Sequence, residues 1–229
     1  MKNFFRTNIH YISCCILFFL FGGVLLFFIE KPDVIFFFSE RRTPFLDLFF
    51  TYFTKMGEEI MYLVFLISFL FVKIRYAILI PLIGIAVSII SHLTKSFFAH
   101  DRPLRFLENM NIADQINYVD GIQLLTGQTS FPSGHTMSAF ALYGLVAFMF
   151  SRKKIWGVII FIFALLIGLS RNYLVQHFFQ DIYLGALIGF GLSILFYWGQ
   201  SKIILDENHW LDQPIWKRKD ILMAEDLIK

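Results

Sequence analysis

The amino-acid sequence predicts an all-α integral membrane protein: a six-transmembrane-helix bundle with an interfacial helical segment between helices 1 and 2. Three observations carry this. Hydrophobic residues fill 57% of the 229 positions, charged residues only 16%, and the mean hydropathy is +0.65, which suits a bilayer as solvent better than water. Phenylalanine occurs 30 times, more apolar surface than one soluble core of this size would hide. Six apolar runs approach the roughly 20 residues that a spanning helix needs.

The first run, 11–29, follows Lys2 and Arg6 and so imitates a signal peptide. Its length, the lack of a small-residue cleavage site and the spans that follow predict a retained first helix. Residues 30–57 hold two apolar stretches, Val34–Phe38 and Pro44–Phe53, each too short to span. An interfacial or re-entrant piece is expected there, amphipathic, with Phe45, Leu46, Phe49, Phe50 and Phe53 on one side. The next two spans, 58–72 and 76–98, are parted by Lys73 and Arg75, and Arg102-Pro103 closes the second of them. Spans 134–150 and 155–170 flank Arg152-Lys153-Lys154, and 182–199 is the sixth. Residues 1–199 thus read as a single transmembrane domain, and 200–229 as a polar cytoplasmic tail.

Lysine and arginine set the orientation. With the N-terminus inside, twelve fall on that side and eight on the other, which puts both termini in the cytoplasm. The formal charge of +3 forms no basic stripe, so no nucleic-acid partner is expected. Cys14 and Cys15 are neighbours in an apolar run, with neither disulfide nor metal-ligand spacing; packing is their expected role.

On this topology loops 99–133 and 171–181 emerge together on the outer side and carry nearly all the reactive side chains. The first segment is Lys95-Ser-Phe-Phe-Ala-His-Asp-Arg102-Pro103. Its two cations are seven positions apart, so on one helix they share a face about two turns apart, and Pro103 is expected to stop that helix. Taken alone, the pair also fits snorkelling interfacial anchors.

The second segment, Phe131-Pro132-Ser133-Gly134-His135-Thr136, opens the fourth span. Free N–H groups at a helix start, close backbone approach at glycine and the helix dipole make a phosphate cradle. A plain N-cap with an incidental histidine is the alternative. The third segment runs from Ser170-Arg171 to His177 and Asp181. The i, i+4 spacing predicts that one helical turn brings the Asp181 carboxylate to the His177 imidazole, fixing its tautomer, while Arg171 offers a forked donor for phosphate oxygens. A structural His–Asp pair capping a helix is the alternative.

Taken in order, Lys95 with Arg102-Pro103, then Pro132-Ser133-Gly134-His135, then Ser170-Arg171 with His177 and Asp181, resembles the complete three-part signature of the type 2 phosphatidic acid phosphatase and vanadium haloperoxidase superfamily, membrane lipid phosphatase branch. Each part is weak alone, but the ordered set is specific. The signature occupies residues 95–181; the flanking helix count is also similar to that branch.

The resemblance implies a membrane lipid phosphate phosphatase. Lys95, Arg102, Arg171, Ser133 and Gly134 would bind the phosphoryl oxygens. His177, held by Asp181, would attack phosphorus to form a phosphohistidine. His135 would protonate the departing oxygen and then activate water. No metal or other cofactor is expected, since three cations already face the phosphate. His100, Asp101 and Arg105 lie close enough in sequence to tune the site, without an assigned role.

A site at headgroup depth favours a lipid substrate: phosphatidate, phosphatidylglycerol phosphate, undecaprenyl diphosphate or a lipid A phosphate. Selectivity is expected in 104–131 and 30–57, which carry no readable code, and nothing in the sequence speaks to oligomeric state. A lipid-to-lipid phosphotransferase would share every motif. A non-catalytic lipid-phosphate-binding protein would have little need for two histidines and an aspartate in register. A haloperoxidase would be soluble, and a transporter would place its charges nearer mid-membrane. The composition suggests a bacterial inner membrane, with the site on its periplasmic face.

Overall fold

The computed structural model describes residues 2–150, 154–203 and 209–217. Among these the regular structure is helical. In chain order the helices are α1 (Lys2–Thr7), α2 (Ile9–Leu25), α3 (Asp33–Glu40), α4 (Pro44–Phe53), α5 (Glu59–Leu70), α6 (Ile74–Phe98), α7 (Pro103–Asn109), α8 (Gly134–Met149), α9 (Lys154–Tyr173) and α10 (Phe179–Ser201). Three of them, α6, α9 and α10, are long and apolar enough to cross a membrane, while α2, α5 and α8 are shorter apolar helices. The first expected span, α2, ends at Leu25 rather than residue 29, and Phe27 and Phe28 stand 88% and 82% exposed beyond it.

Helix α8 is the axis of the molecule. Every residue from Thr136 to Phe148 is buried, the pattern of a helix surrounded on all sides. One flank packs Phe140, Tyr143 and Phe148 against Tyr11 and Cys15 of α2 and Phe161 and Ile167 of α9. The other packs Met137, Leu142 and Leu145 against Phe69 of α5 and Ile80, Ile83 and Val87 of α6. Cys15 is buried and both cysteines are free thiols, in line with a packing role.

The third neighbour, α10, meets α8 backbone to backbone. A Cβ on Gly185 would lie 2.6 Å from Ser133 O, and one on Gly189 would lie 2.4 Å from Met137 O. Small residues four apart allow helices in lipid to approach this closely, where van der Waals packing rather than hydrophobicity holds them. The approach matters for function because Ser133 and Asp181 then meet: Ser133 N–H donates to Asp181 O at 3.0 Å.

Segment 30–57 folds as two short helices, α3 and α4, followed by a tight turn at Thr54–Gly57. Thr43 caps α4, accepting from Leu46 N–H at 3.2 Å, with Pro44 in the first turn. The expected apolar stripe divides. Phe50 is buried with Tyr173 and Leu174, whereas Phe45 is 73% exposed. Asp47 ties α4 to α9, paired in fork geometry with Arg42 at 3.0 and 2.7 Å and accepting from the Tyr173 hydroxyl. The Arg42 guanidinium accordingly holds the Asp47 carboxyl below its usual range.

The long loop 99–133 lies against this segment. Asn117 N–H donates to Ser39 Oγ at 2.7 Å, and Leu107 and Ile116 are buried with Ile35, Val175 and Phe178. The two stretches whose sequences carry no code thus form one cap beside the signature residues. At the other end, described residues of the expected tail fold back on the α5–α6 turn: Ile215 N–H donates to Leu70 O at 2.9 Å and Arg75 pairs with Asp212 at 2.5 Å. Residues 204–208 and 218–229 of that tail, with Arg152 and Lys153, lie outside the described residues.

Candidate active site

His177 lies in the short connection between α9 and α10. Val175 turns that connection with φ +54, a left-handed conformation rare for a β-branched residue and usually held only where the surroundings demand it. The turn lets the N–H groups of Gln176 and His177 both donate to Arg171 O, at 2.8 and 3.1 Å. Asn172 Nδ2 donates to His177 O at 2.8 Å, so the histidine backbone is held from two sides.

Asp181 reaches His177 by a different route from the one its spacing predicts. His177 precedes α10, and Asp181 sits in the first turn of that helix. Its Oδ2 accepts from Phe178 N–H at 3.0 Å, the capping position, from the Ser130 hydroxyl at 2.5 Å, and from His177 Nδ1 at 3.3 Å. A carboxylate only accepts, so the shared proton belongs to Nδ1 and the lone pair to Nε2. The helix-capping contact and the contact with the His177 ring are therefore both made by one oxygen.

His177 Nε2 faces Arg102 Nη1 at 3.3 Å. Burial pushes the His177 imidazole down to about 4, with Arg102 and Arg171 adding to the effect and Asp181 opposing it. The ring is neutral at pH 7, which keeps the Nε2 lone pair available.

Lys95 and Arg102 do not share a helix face. Helix α6 ends at Phe98, Ala99 adopts φ +48, and Arg102 is the N-cap of α7, so Pro103 starts a helix rather than stopping one. The reversal still brings both cations to the site. Arg102 Nη1 also donates to Gln176 O at 3.1 Å, and its Nε to Thr129 Oγ1 at 3.3 Å. Lys95 lies where the charges of Arg102, Arg171 and Asp181 all act on it. Its Nζ would be 3.5 Å from a Cβ on Gly134, and Ser91 Oγ 3.0 Å, so glycine keeps the space between lysine and the start of α8 open.

Ser133 is the N-cap of α8. Its oxygen accepts from Thr136 N–H at 3.4 Å and pairs with the Thr136 hydroxyl at 3.0 Å. Arg171, buried in the last turn of α9, donates from Nη1 to Thr54 Oγ1 at 2.8 Å, while its Nε has no hydrogen-bond partner among the described residues. A buried guanidinium N–H left over in this way suits an anion's oxygen. His135 lies in the first turn of α8, half-buried, where the charges of Arg171, His177, Lys95 and Arg102 reach it.

All eight residues singled out from sequence thus converge. The structure adds others that carry no sequence signal: Ser130 and Thr129 in an unpatterned loop, Thr54 behind Arg171, and Glu58, whose Oε1 is 3.9 Å from His135 Nε2. Glu58 and Glu59 stand at the start of α5, where acidic groups complement the helix dipole. Asp101 pairs with Arg105 at 3.4 Å, and the His100 ring packs on Phe131.

An apolar helical bundle that brings a carboxylate-backed, buried histidine together with Lys95, Arg102 and Arg171 has the makings of a membrane protein with a site suited to an anion. Residues 73–205 match the PAP2 superfamily, and the chain belongs to that family. It is 38% identical over 76 residues to phosphatidylglycerophosphatase B of Bacillus subtilis, covering 30% of this chain and 36% of that one. It is 38% identical over 86 residues to a probable diacylglycerol pyrophosphate phosphatase 1 of Schizosaccharomyces pombe, covering 32% and 31%. These alignments span about a third of the length of the curated relatives matched.

Among solved structures, the Aquifex aeolicus LpxE crystal structure superposes with a TM-score of 0.62 at 30% identity, over 73% of this chain and 94% of that one. A transmembrane PAP2-type phosphatidylglycerolphosphate phosphatase from Bacillus subtilis gives 0.64 at 22% identity, over 86% and 98%, a likeness of fold. With its apolar helices and these membrane relatives, the chain is an integral membrane protein.

Proposed function

We propose that this chain is a phosphatase of membrane lipid phosphates that works through a phosphohistidine, without a metal ion. One observation carries the reading: His177 is fixed between Asp181 at Nδ1 and Arg102 at Nε2, neutral and buried, with the lone pair aimed at the cations. Lys95, Arg102 and Arg171, with Ser133 and the Gly134 backbone, bind the phosphoryl oxygens. Nε2 attacks phosphorus, the P–O bond to the lipid breaks, and the leaving oxygen takes its electron pair together with a proton from His135. His135 then takes a proton from water, the water oxygen attacks phosphorus, the P–N bond breaks, and inorganic phosphate leaves. Developing charge is met throughout by groups already in place.

The bilayer reading completes this. Residues 1–199 form one domain of six spans, α2, α5, α6, α8, α9 and α10, with α3 and α4 lying in the interface. The site faces the periplasm of a bacterial inner membrane, and both termini, with the 200–229 tail, are cytoplasmic. The lysine and arginine distribution supports that orientation. The names borne by relatives support a phospholipid or diphosphate substrate.

The test is phosphate release by purified protein, with chelator present, from phosphatidate, phosphatidylglycerol phosphate, undecaprenyl diphosphate, a lipid A phosphate and a soluble ester. Chelator-resistant release from a lipid, lost in His177→Ala, is expected. Disappearance of lipid phosphate without inorganic phosphate would instead indicate transfer to a second lipid, and no consumption would overturn the reading.

A further inference from the structure

His135 opens onto a groove that the phosphoryl cations do not line. It has a volume of about 660 Å³ and runs between α5 and α6, bordered by Glu58, Tyr62, Gly84, Ser88 and Ser91 as well as Gly134 and His135. Its α6 wall ends in Ile85 and Ile89, both more than half exposed, so it opens on the apolar outer face. Lys95 Nζ adjoins the groove at Gly134, 3.5 Å from where a Cβ there would stand, while Arg171 donates to Thr54 and Arg102 to Gln176 and Thr129. Glu58 Oε1 lies 3.9 Å from His135 Nε2 on this side, and the charges of Arg171, Lys95 and Arg102, with His177, reach the same ring.

We propose that Glu58 is a positioning residue that orients His135 as the proton donor at the mouth of this groove, and that it thereby serves lipid phosphomonoesters, whose leaving oxygen needs a proton, more than lipid diphosphates. The inference rests on His135 being the general acid of the reading above. A phosphomonoester leaves as an alkoxide, a poor leaving group, so the P–O bond breaks readily only if the oxygen receives the His135 proton as the bond parts. A diphosphate breaks its P–O–P bond to release a lipid monophosphate, whose oxygen keeps the electron pair without a proton and so makes little demand on His135.

The experiment compares single-turnover phosphoenzyme formation by wild type, Glu58→Gln and His135→Ala on phosphatidate, on diacylglycerol pyrophosphate and on an aryl phosphate whose phenolate needs little protonation, because the later step uses His135 as base whatever the substrate. Glu58→Gln is expected to slow phosphoenzyme formation from phosphatidate by about tenfold or more, and to leave the other two within about a factor of two. An equal fall on all three substrates, or none on phosphatidate, overturns the role of Glu58. If phosphoenzyme formation in His135→Ala falls equally on all three, His135 is not the acid, and the underlying reading fails rather than the assignment of Glu58 alone.

Discussion

Asp181 Oδ2 lies 3.3 Å from His177 Nδ1 and accepts at the same time from Phe178 N–H and the Ser130 hydroxyl. One oxygen thus caps α10, anchors the 99–133 loop and fixes the tautomer of the histidine. Asp181→Asn replaces an acceptor by a group that also donates, and it sets the imidazole in the wrong tautomer. Turnover should fall by about 10³–10⁴-fold, by analogy with the aspartate of hydrolase triads. Ser130→Ala removes only one donor and should fall about tenfold, with a stability loss of about 1 kcal/mol. Phosphate-release kinetics beside thermal unfolding in detergent check both.

Arg171 is aimed by Thr54, which donates nothing to substrate in this account. Thr54→Val keeps the shape and removes the acceptor at 2.8 Å. The expected result is a several-fold rise in KM with a smaller change in kcat. Arg171→Lys, which loses the forked geometry, should lose about 10²-fold in kcat/KM. Steady-state kinetics on one lipid substrate separate the two.

The acid side of the pH profile follows from burial of His177. The neutral ring is the nucleophile, so its activity is present above about 4 and is lost as pH falls through that value. An unperturbed histidine would already be losing its nucleophile near its ordinary value of about 6.5. Single-turnover formation of the phosphoenzyme should therefore persist at about pH 5.5. Loss near the ordinary histidine range would contradict the buried, neutral assignment.

The α8–α10 contact makes a prediction with its own control. Gly189→Ala puts a Cβ 2.4 Å from a backbone carbonyl, whereas Gly191, two residues on, has nothing within 4 Å. The first should destabilise by about 1–3 kcal/mol through overpacking, and the second should be nearly neutral. Because Ser133 N–H bonds Asp181 O across the same contact, Gly189→Ala should also depress turnover. Unfolding midpoints of the two variants decide it.

What the sequence made legible follows from where the chemistry is local. Ser133, Gly134 and His135 begin a helix, as their order in the sequence predicts. His177 and Asp181 were legible as partners, but the link runs through a capping position after a left-handed Val175, which no periodicity announces. Lys95 and Arg102 were legible as cations of one site, yet the shared helix face was an error, because Ala99 breaks the helix and Pro103 begins another. Thr54, Glu58 and Ser130 were not legible at all. Each acts across a long sequence separation, from segments whose apolar or irregular composition gives no sign of what they face. The Gly185–Gly189 approach depends likewise on a partner helix that one strand of sequence does not show.

The central claim is that phosphate passes through His177. Its most direct test is to mix His135→Ala protein, which lacks the base for the second step, with an aryl phosphate whose leaving group needs no proton for the first, quench under alkaline conditions and locate the phosphate by peptide mass spectrometry. The account predicts phosphate on His177 and on no other residue, and none in the His135→Ala, His177→Ala double variant. Phosphate on another side chain, or full turnover in His177→Ala, would contradict it.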